Sequence, residues 1–588
     1  MKKNFFSFIS VALVICFTGC SQAEDTSPVT TETFSNIWKF HAGVGNHWES
    51  ASLNDSDWSE VTTDKPLSAY DLKTDEGLGW YRKTITLPDA FYDAMLSKGG
   101  VILHLDSIAG ADTLYVNGAE VGRFSPAMMT AGKFLERHYF VPSANLKKGD
   151  NLVAFKFFDG RSPFGGGLLS GARLSFSTAE TKDKLAMDVS VADSDYIFMS
   201  PDPIRISANV HNTNTWPVKG DVVVTITTDD HRFLQSDTLP LAVKANSTAS
   251  KTLDYQAPSP GFYRYTVAFV RNNEELLQTK VNVGYEPEKI SSPLDTHADF
   301  KDFWDNNLKR LAQVKPEYKL TLVPESSNED YNVYFVEMKS LQNATIRGYY
   351  SEPVREGKFP VIVEYMGYGS RPYVSNTKWD GFAHYVPSIR QQGANRLLPE
   401  DDFWIAIGLK DKEGYYYQGA FCDVVRALDF VCSRPAIDTS KIAVRGGSQG
   451  GALSFVAASL DKRVKVCAPN VPFLSDYRDY FRIVDWPRSE IDNNFIKKNP
   501  DADWEQVYDV LTYFDVKNLA QWIECPLLMS IGVQDPTCPP HINFAAYNQV
   551  KSEKHWQASP LSGHNISDPQ FWITERKFIR EKLGLSPE

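Results

Sequence analysis

A serine set in a run of glycines is the residue of this chain best suited to chemistry. Ser448 lies in Gly446-Gly447-Ser448-Gln449-Gly450-Gly451, which follows the apolar run 442–444 and precedes the helix-forming stretch 452–460. This pattern predicts a nucleophile elbow, a tight strand-to-helix turn in which the serine is strained and only small neighbours fit. Such a turn would lift the hydroxyl of Ser448 out of a sheet and present it to a substrate.

The two further groups that a serine nucleophile requires follow it in the chain. A hydroxyl needs a base within hydrogen-bond reach and a third group that holds the base in the right tautomer. Asp535 follows the apolar run 527–531, and His564 comes after it in Ser562-Gly563-His564. Because the order Ser, Asp, His is that of α/β-hydrolases, we predict a catalytic triad of Ser448, Asp535 and His564.

Less specific interpretations of these residues exist. The bare Gly-x-Ser-x-Gly string recurs by chance, and Asp535 beside Pro536 could be a solvated turn residue. The competing histidines fit less well, because His541 follows two prolines and should begin a helix, whereas His555 lies in a strand-like run. The context between strand and helix therefore favours the triad.

The charge that develops on an attacked carbonyl needs donors that are fixed in place. These are usually the N–H of the residue after the serine and another N–H from the loop after an early strand. Gln449 supplies the first, and Tyr368, in the loop after a predicted strand from Val361, is assigned the second. Since both donors belong to the backbone, replacing these side chains should reduce turnover less than Ser448→Ala.

The elements that must position these residues alternate between strand and helix in the last part of the chain. That alternation is typical of a mainly parallel sheet covered on both faces. A helix is predicted between Gln418 and Cys432, where apolar residues recur at helical spacing. Strands are predicted at 361–365, 404–409, 441–444, 464–468 and 526–531. We therefore predict an α/β-hydrolase fold for residues 286–588.

Two β-rich regions precede it. In residues 32–180, Asn117-Gly118 predicts a tight hairpin because both turn positions need positive φ. Segments such as Gly79-Trp80-Tyr81-Arg82-Lys83 resemble the galactose-binding-like jelly roll, which implies a β-sandwich and leaves sugar binding open. Residues 181–285 have the length and strand spacing of an immunoglobulin-like sandwich, with clear strands at 222–227 and 263–270.

The first twenty residues resemble the signal of a bacterial lipoprotein. Lys2 and Lys3 precede an apolar core from Phe5 to Phe17, which is too short to span a bilayer, and Gly19-Cys20 follows. The resemblance implies that Cys20 is acylated, that 21–31 is a tether, and that the protein is anchored to a bacterial membrane, the outer one, on its periplasmic or cell-surface face. The alternative is a plain signal peptide with an incidental cysteine.

The net charge and the spacing of the cysteines bear on whether nucleic acid, disulfides or a metal are expected. The net charge is −12, so there is no overall basic balance to neutralise phosphates and nucleic acid is not expected as a partner. Cys422 and Cys432, if on one helix, would be roughly 15 Å apart, well beyond disulfide reach. No Cys-x-x-Cys and no histidine cluster at metal spacing is present in the sequence. We therefore interpret the five cysteines between 422 and 538 as core filler and expect no metal.

Several further motifs join the elbow in one family resemblance. They are Met366-Gly367-Tyr368, Tyr415-Tyr416-Tyr417, Val471-Pro472-Phe473-Leu474, Tyr513-Phe514-Asp515, the stretch from Gly532 to Pro540, and Gly563-His564. Together they resemble carbohydrate esterase family 7, the acetyl xylan esterases and cephalosporin C deacetylases. The resemblance implies hydrolysis of acetyl esters on carbohydrates without metal or cofactor, with Ser448, Asp535 and His564 as the triad and Tyr368 and Gln449 at the oxyanion.

This sequence departs from the family at three places. Gln391 replaces the glycine of Arg-Gly-Gln, Asn565 replaces the usual Glu, and Met366 replaces the usual histidine. We expect the Gln391 loop to differ. The aromatic-rich insertion 471–520 would either wall the pocket and stack on sugar rings or pack as the core of a cap.

Two other functions remain open at this point, as does the oligomeric state. A prolyl-oligopeptidase-like serine peptidase shares the fold and the elbow, but usually carries a β-propeller whose repeats are absent from this sequence. A sugar-binding lipoprotein with a relic hydrolase domain would have no activity to lose on Ser448→Ala.

Overall fold

The computed structural model of the chain describes residues 31–586 with internal gaps. The gaps are 44, 64, 66, 71, 73–77, 98, 106–107, 110, 125–136, 159–166, 169–171, 178–184, 213–216, 245–246, 272, 375–380, 397–402 and 567. The predicted signal, Cys20 and nearly all of the tether lie outside the described residues. Within them, no helix is both long enough and apolar enough to cross a membrane.

In its described residues, the first region consists of antiparallel sheets and the helix α1 (Asp89–Ser97). Its strands are β1 (Thr31–Thr33), β2 (Ile37–Ala42), β3 (Ser59–Thr62), β4 (Leu78–Leu87), β5 (Gly100–Leu105), β6 (Ile108–Ala109), β7 (Ala111–Val116), β8 (Ala119–Phe124), β9 (Arg137–Pro142), β10 (Gly149–Phe158), β11 (Gly167–Leu168) and β12 (Leu174–Ser177). The described sheets have the orders β1-β12-β5-β9, β3-β2-β4-β10-β7-β8 and β11-β6. Side chains from the two larger sheets share one apolar core.

The predicted hairpin in this region is confirmed. Strands β7 and β8 pair antiparallel on either side of Asn117-Gly118. Both turn residues have positive φ, 50° for Asn117 and 86° for Gly118. The amide of Asn117 also donates to Asn145 O at 2.8 Å, so the turn is tied to a neighbouring loop.

The second region is a pair of sheets with a core of its own. Its strands are β13 (Leu185–Val191), β14 (Ile197–Phe198), β15 (Ile204–Asn212), β16 (Val218–Thr228), β17 (Phe233–Val243), β18 (Ser247–Tyr255), β19 (Gly261–Arg271) and β20 (Glu274–Tyr285). The orders are β13-β15-β18 and β14-β20-β19-β16-β17. We call this region the middle sandwich. The strands predicted at 222–227 and 263–270 are confirmed as parts of β16 and β19.

The third region is a nine-stranded sheet flanked by helices. Its strands are β21 (Lys319–Leu322), β22 (Tyr331–Lys339), β23 (Thr345–Pro353), β24 (Phe359–Tyr365), β25 (Ala383–Ser388), β26 (Ile437–Gly447), β27 (Val466–Asn470), β28 (Leu527–Gly532) and β29 (Lys554–Ser559). Its helices are α2 (Phe300–Gln313), α3 (Tyr416–Ser433), α4 (Gln449–Leu460), α5 (Tyr477–Ile483), α6 (Arg488–Asn494), α7 (Trp504–Leu511), α8 (Val516–Ala520), α9 (Pro540–Tyr547) and α10 (Pro569–Lys582).

The strand order of this sheet is β21-β22-β23-β25-β24-β26-β27-β28-β29. The first pairs are antiparallel and every pair from β25 to β29 is parallel. The predicted α/β-hydrolase fold of the C-terminal region is thereby confirmed. Ligands of such sheets bind beyond the carboxyl ends of the parallel strands, which is where β26, β28 and β29 deliver the predicted triad.

One predicted strand, 404–409, is wrong. The structure has a short 3₁₀ turn at Trp404–Ala406, and Gly408 follows with φ of 79°. A short buried apolar run cannot be assigned by periodicity alone. Here the run is buried against the loop that contains Tyr368, since the Tyr368 and Trp404 rings are 5.0 Å apart.

Candidate active site

Ser448 occupies the turn between β26 and α4 with φ 60° and ψ −120°. The backbone of a residue other than glycine is strained by about 1–3 kcal/mol in this left-handed region. The turn is possible because the chain has no side chains at two neighbouring positions. A Cβ on Gly446 would lie 2.3 Å from Tyr365 O, and one on Gly450 would lie 2.0 Å from the same oxygen. These glycines therefore set the elbow against the end of β24.

The elbow rests on a buried charge cluster. Arg445 donates to Glu364 at 2.7 Å and to Glu575 at 2.9 Å. Asn470 also donates to Glu575, at 3.0 Å, and its carbonyl accepts the Ser448 N–H at 2.9 Å. Burial raises the pKa of Glu575, and Arg445 opposes that rise. The guanidinium thus joins β24, β26 and α10 directly beneath the serine.

Asp535 and His564 meet across the ends of β28 and β29. The His564 Nδ1–H donates to Asp535 Oδ2 at 2.9 Å. The other oxygen of Asp535 accepts the N–H groups of Thr537 at 2.8 Å and of Cys538 at 2.9 Å. The carboxylate is fully buried, whereas the His564 side chain is 25% exposed. A buried carboxylate with these donors holds the ring in the tautomer that leaves Nε2 available as a base.

Cys538 is buried in the apolar core, as the sequence predicts, and it also lies beside both Ser448 and His564. Its Sγ is 4.0 Å from Ser448 Oγ. One ligand atom each of Asp535, Cys538 and His564 lie within 4.8 Å of one another. The described side chains of Ser448 and His564 make no direct hydrogen bond with each other, and catalytic hydrogen bonds are often long before substrate binds. In the sequence, only its place three residues after Asp535 marks this thiol.

The groups around His564 raise the affinity of its ring for a proton. Burial lowers the pKa of the imidazole, but Cys538 and Asp535 outweigh it and raise the pKa above its usual value. Burial also raises the pKa of the Cys538 thiol, and the neighbouring His564 opposes that rise.

The two predicted oxyanion donors are held together by a pair of side-chain amides. Gln449 is the first residue of α4, so its N–H is one of those without an acceptor inside the helix. Its side chain donates to Gln392 Oε1 at 2.9 Å and accepts from Gln392 Nε2 at 3.1 Å. Gln392 Oε1 also accepts the N–H of Gly369, next to Tyr368, at 3.0 Å. Gln392 is thus a positioning residue that sequence reasoning missed.

The loop that carries Gln392 also contains Gln391, which replaces the glycine of the family's Arg-Gly-Gln motif. Gln391 has φ of 60°, the left-handed region that favours glycine. The neighbouring Arg390 donates to both oxygens of Asp423, at 2.8 and 2.9 Å. This ion pair fixes the loop and accounts for a strained backbone without glycine.

Aromatic side chains of the insertion mostly form core. Phe473, Tyr477, Tyr480, Phe481, Tyr513 and Phe514 are buried. The partly exposed Trp486 stacks on Phe473 with ring centroids 5.2 Å apart and lies 5.6 Å from the ring of Tyr368. Trp486 therefore lies beside the loop of Tyr368 with part of its surface exposed.

Two groups of described residues have donor atoms close enough to hold a metal ion. One is Asp535, Cys538 and His564; the other is Asp476, Asp479 and His541. In the first, both Asp535 oxygens already accept hydrogen bonds. In the second, Asp476 accepts from Ser292 at 2.8 Å and from Lys517 at 3.2 Å. Hydrogen bonds and ion pairs account for both groups.

Comparison with known proteins places the C-terminal half in a family. Residues 286–579 match the family described as acetyl xylan esterase (AXE1). Acetyl esterase Axe7A of Xylanibacter ruminicola is 29% identical over 335 residues, covering 53% of this chain and 72% of that protein.

Two solved structures are also similar. Acetyl xylan esterase from Paenibacillus sp. R4 is 35% identical and covers 50% of this chain and 98% of its own, with a TM-score of 0.47. Acetyl xylan esterase 1 from Thermoanaerobacterium sp. JW/SL YS485 is 28% identical with the same two coverages and the same TM-score.

Proposed function

The chain belongs to the acetyl xylan esterase family, and we propose that it removes acetyl groups from acetylated carbohydrates of the xylan type. It is a carboxylic ester hydrolase. The observation that carries the mechanism is the 2.9 Å hydrogen bond from His564 to the buried Asp535, beside a serine in a glycine elbow.

In the proposed reaction, Ser448 Oγ attacks the acetyl carbonyl while His564 Nε2 takes its proton. The N–H groups of Gln449 and Tyr368 stabilise the tetrahedral oxyanion. His564 then gives the proton to the sugar oxygen, which leaves as a hydroxyl group. Water deprotonated by His564 then attacks the acetyl-enzyme, the bond between the carbonyl carbon and Ser448 Oγ breaks, His564 returns the proton to Oγ, and acetate is released. No step requires a metal or cofactor.

The test is release of acetate from acetylated xylan by the full chain. Ser448→Ala should abolish it, because a catalytic serine can be worth on the order of a million-fold in turnover. The matched control is Ser454→Ala in α4, whose hydroxyl donates to Gly450 O at 2.8 Å within the helix. Equal loss in both variants, or none in Ser448→Ala, would contradict the assignment.

The peptidase alternative is tested by the same preparation. Comparing p-nitrophenyl acetate with a proline p-nitroanilide should show turnover of the ester alone. A relic, sugar-binding hydrolase domain would turn over neither substrate.

The N-terminal half is part of the proposal. We assign residues 32–180 to a galactose-binding-like jelly roll and 181–285 to an immunoglobulin-like sandwich. Cys20 is the proposed lipid anchor, with the protein on the bacterial outer membrane. Fatty-acid labelling that Cys20→Ser abolishes, with recovery of wild-type protein in the membrane fraction, is the expected result.

A further inference from the structure

The open edge of β20 in the middle sandwich faces the loop that carries Asp535. The Asn282 N–H donates to Gln534 Oε1 at 2.8 Å, and Gln534 Nε2 donates to Asn282 O at 3.1 Å. The Asn282 side chain also donates to Val533 O at 3.4 Å. On this side β20 pairs with β14 only at Gly284 and Tyr285. The amide of Gln534 therefore takes the place of a neighbouring strand.

Gln534 also joins the two loops of the predicted acid and base. Its Nε2 donates to Pro560 O at 2.8 Å, and its backbone N–H donates to Ser562 O at 3.0 Å. Ser562 lies two residues before His564, and Gln534 lies one residue before Asp535. One side chain thus contacts the middle sandwich, the loop of the acid and the loop of the base.

A second contact lies at the far end of the acid loop, where α9 begins. His541 Nδ1 is 2.8 Å from Asp229 of the middle sandwich, and its Nε2 is 3.6 Å from Asp479 of α5. The rings of Phe262 in β19 and Phe544 in α9 are 6.0 Å apart. Residues 534–541 are consequently held against the sandwich at both ends.

We propose that the middle sandwich positions the catalytic acid: through Gln534 and His541 it fixes the loop 534–541 so that Asp535 faces His564. This inference rests on the proposed triad. Gln534 is a positioning residue, acting on the reaction through Asp535. The competing possibility is that these contacts merely attach one domain to the other.

Another contact in the same interface separates the two possibilities. His231 of the middle sandwich lies 3.0 Å from Ile483 O, at the end of α5, outside the loop 534–541. Removing it weakens attachment of the domain without touching Gln534. His231→Ala is therefore the matched control.

The experiment compares Gln534→Met, Gln534→Glu and His231→Ala in the full chain, with p-nitrophenyl acetate as substrate. Gln534→Met keeps the length of the side chain and removes every amide hydrogen bond. We expect kcat to fall about 10- to 100-fold, as for a misplaced catalytic group, with KM nearly unchanged. Gln534→Glu keeps the acceptor for the Asn282 N–H but sets a carboxylate oxygen against the carbonyl oxygens of Asn282 and Pro560, so it should also lower kcat. His231→Ala should keep wild-type kcat.

The pH profile gives a readout that mere attachment would not change. Asp535 and Cys538 are the titratable groups that raise the pKa of His564. A displaced Asp535 lets that pKa fall, so the acid limb of kcat/KM should move to lower pH in Gln534→Met and stay in place in His231→Ala.

A wild-type kcat and acid limb in Gln534→Met, or the same loss in His231→Ala, would overturn the inference. If Gln534→Met does not fold, the same measurements are made on Gln534→Glu and Asp229→Asn. A wild-type kcat and a wild-type pH profile in both of these variants would also overturn the inference. Wild-type activity in Ser448→Ala would instead contradict the proposed triad. Failure of the inference and failure of the proposed triad are therefore distinguishable.

Discussion

Replacing Asp535 by asparagine tests the site most directly. The carboxylate accepts Thr537 and Cys538 N–H groups through Oδ1 and the His564 ring through Oδ2. Asparagine can keep Oδ1 as an acceptor for the two backbone donors, so its NH₂ group must face His564. A donor there stabilises the ring tautomer with the proton on Nε2, which cannot take a proton from Ser448.

The expected loss follows from that tautomer. The same change in a serine-protease triad lowers kcat about 10⁴-fold, which corresponds to about 5.4 kcal/mol in the barrier. KM should change little. Without the carboxylate the pKa of His564 also falls, because Asp535 raises it. The ring then stays neutral to lower pH, so the acid limb of the remaining activity should move downward.

The control is Asp515→Asn, another buried carboxylate that accepts backbone N–H groups. Asp515 accepts from Asp476 and from Lys517, both at 2.9 Å. Burial raises its pKa to about 7, so a neutral amide changes little near that pH. Steady-state kinetics from pH 5 to 9 on both variants is the assay. An Asp535→Asn enzyme with nearly wild-type kcat, or an acid limb shifted upward, would refute the reasoning.

Three further predictions concern the frame of the site. Gly450→Ala puts a Cβ 2.0 Å from a backbone oxygen and should lower kcat about 100-fold; Gly447→Ala, with nothing within 4 Å, should lose far less. Arg445→Met leaves buried carboxylates unpaired, and chemical unfolding should show a loss of about 3–5 kcal/mol. The carboxylates facing His541 raise its pKa against burial to about 10. Since histidine normally titrates near 6.5, about the unfolded value, its stabilising contribution is complete below that pH and lost as pH rises towards 10. Unfolding midpoints should show this slope and Asp229→Asn should flatten it.

The local parts of the site could be read from the sequence. The glycines around Ser448 and the apolar runs of β26 and β28 carry their signal within a few residues. The helix predicted between 418 and 432 is confirmed as part of α3, where the apolar residues at helical spacing are buried together with nearly all of the residues between them.

The remaining parts depend on contacts between residues far apart in the chain. The Gln392–Gln449 amide pair spans 57 positions and the Asn282–Gln534 contact spans 252. A glutamine has the same hydropathy in the sequence whether its amide is hydrogen-bonded to water or to the edge of a sheet. No periodicity distinguishes these cases, so Gln392, Gln534 and Cys538 could be found only in the folded chain.

The proposed nucleophile and the proposed acid are held in place by different parts of the chain. The serine is placed within the C-terminal sheet: glycines at 446 and 450 fit against Tyr365 of β24, and Asn470 of β27 accepts the Ser448 N–H. The acid is placed by hydrogen bonds from its own loop and, through Gln534, by a strand of another domain. Changes at the domain interface should therefore leave the nucleophile in position and weaken the base. The two halves of the proposed catalytic site thus depend on different contacts, and kcat depends on both.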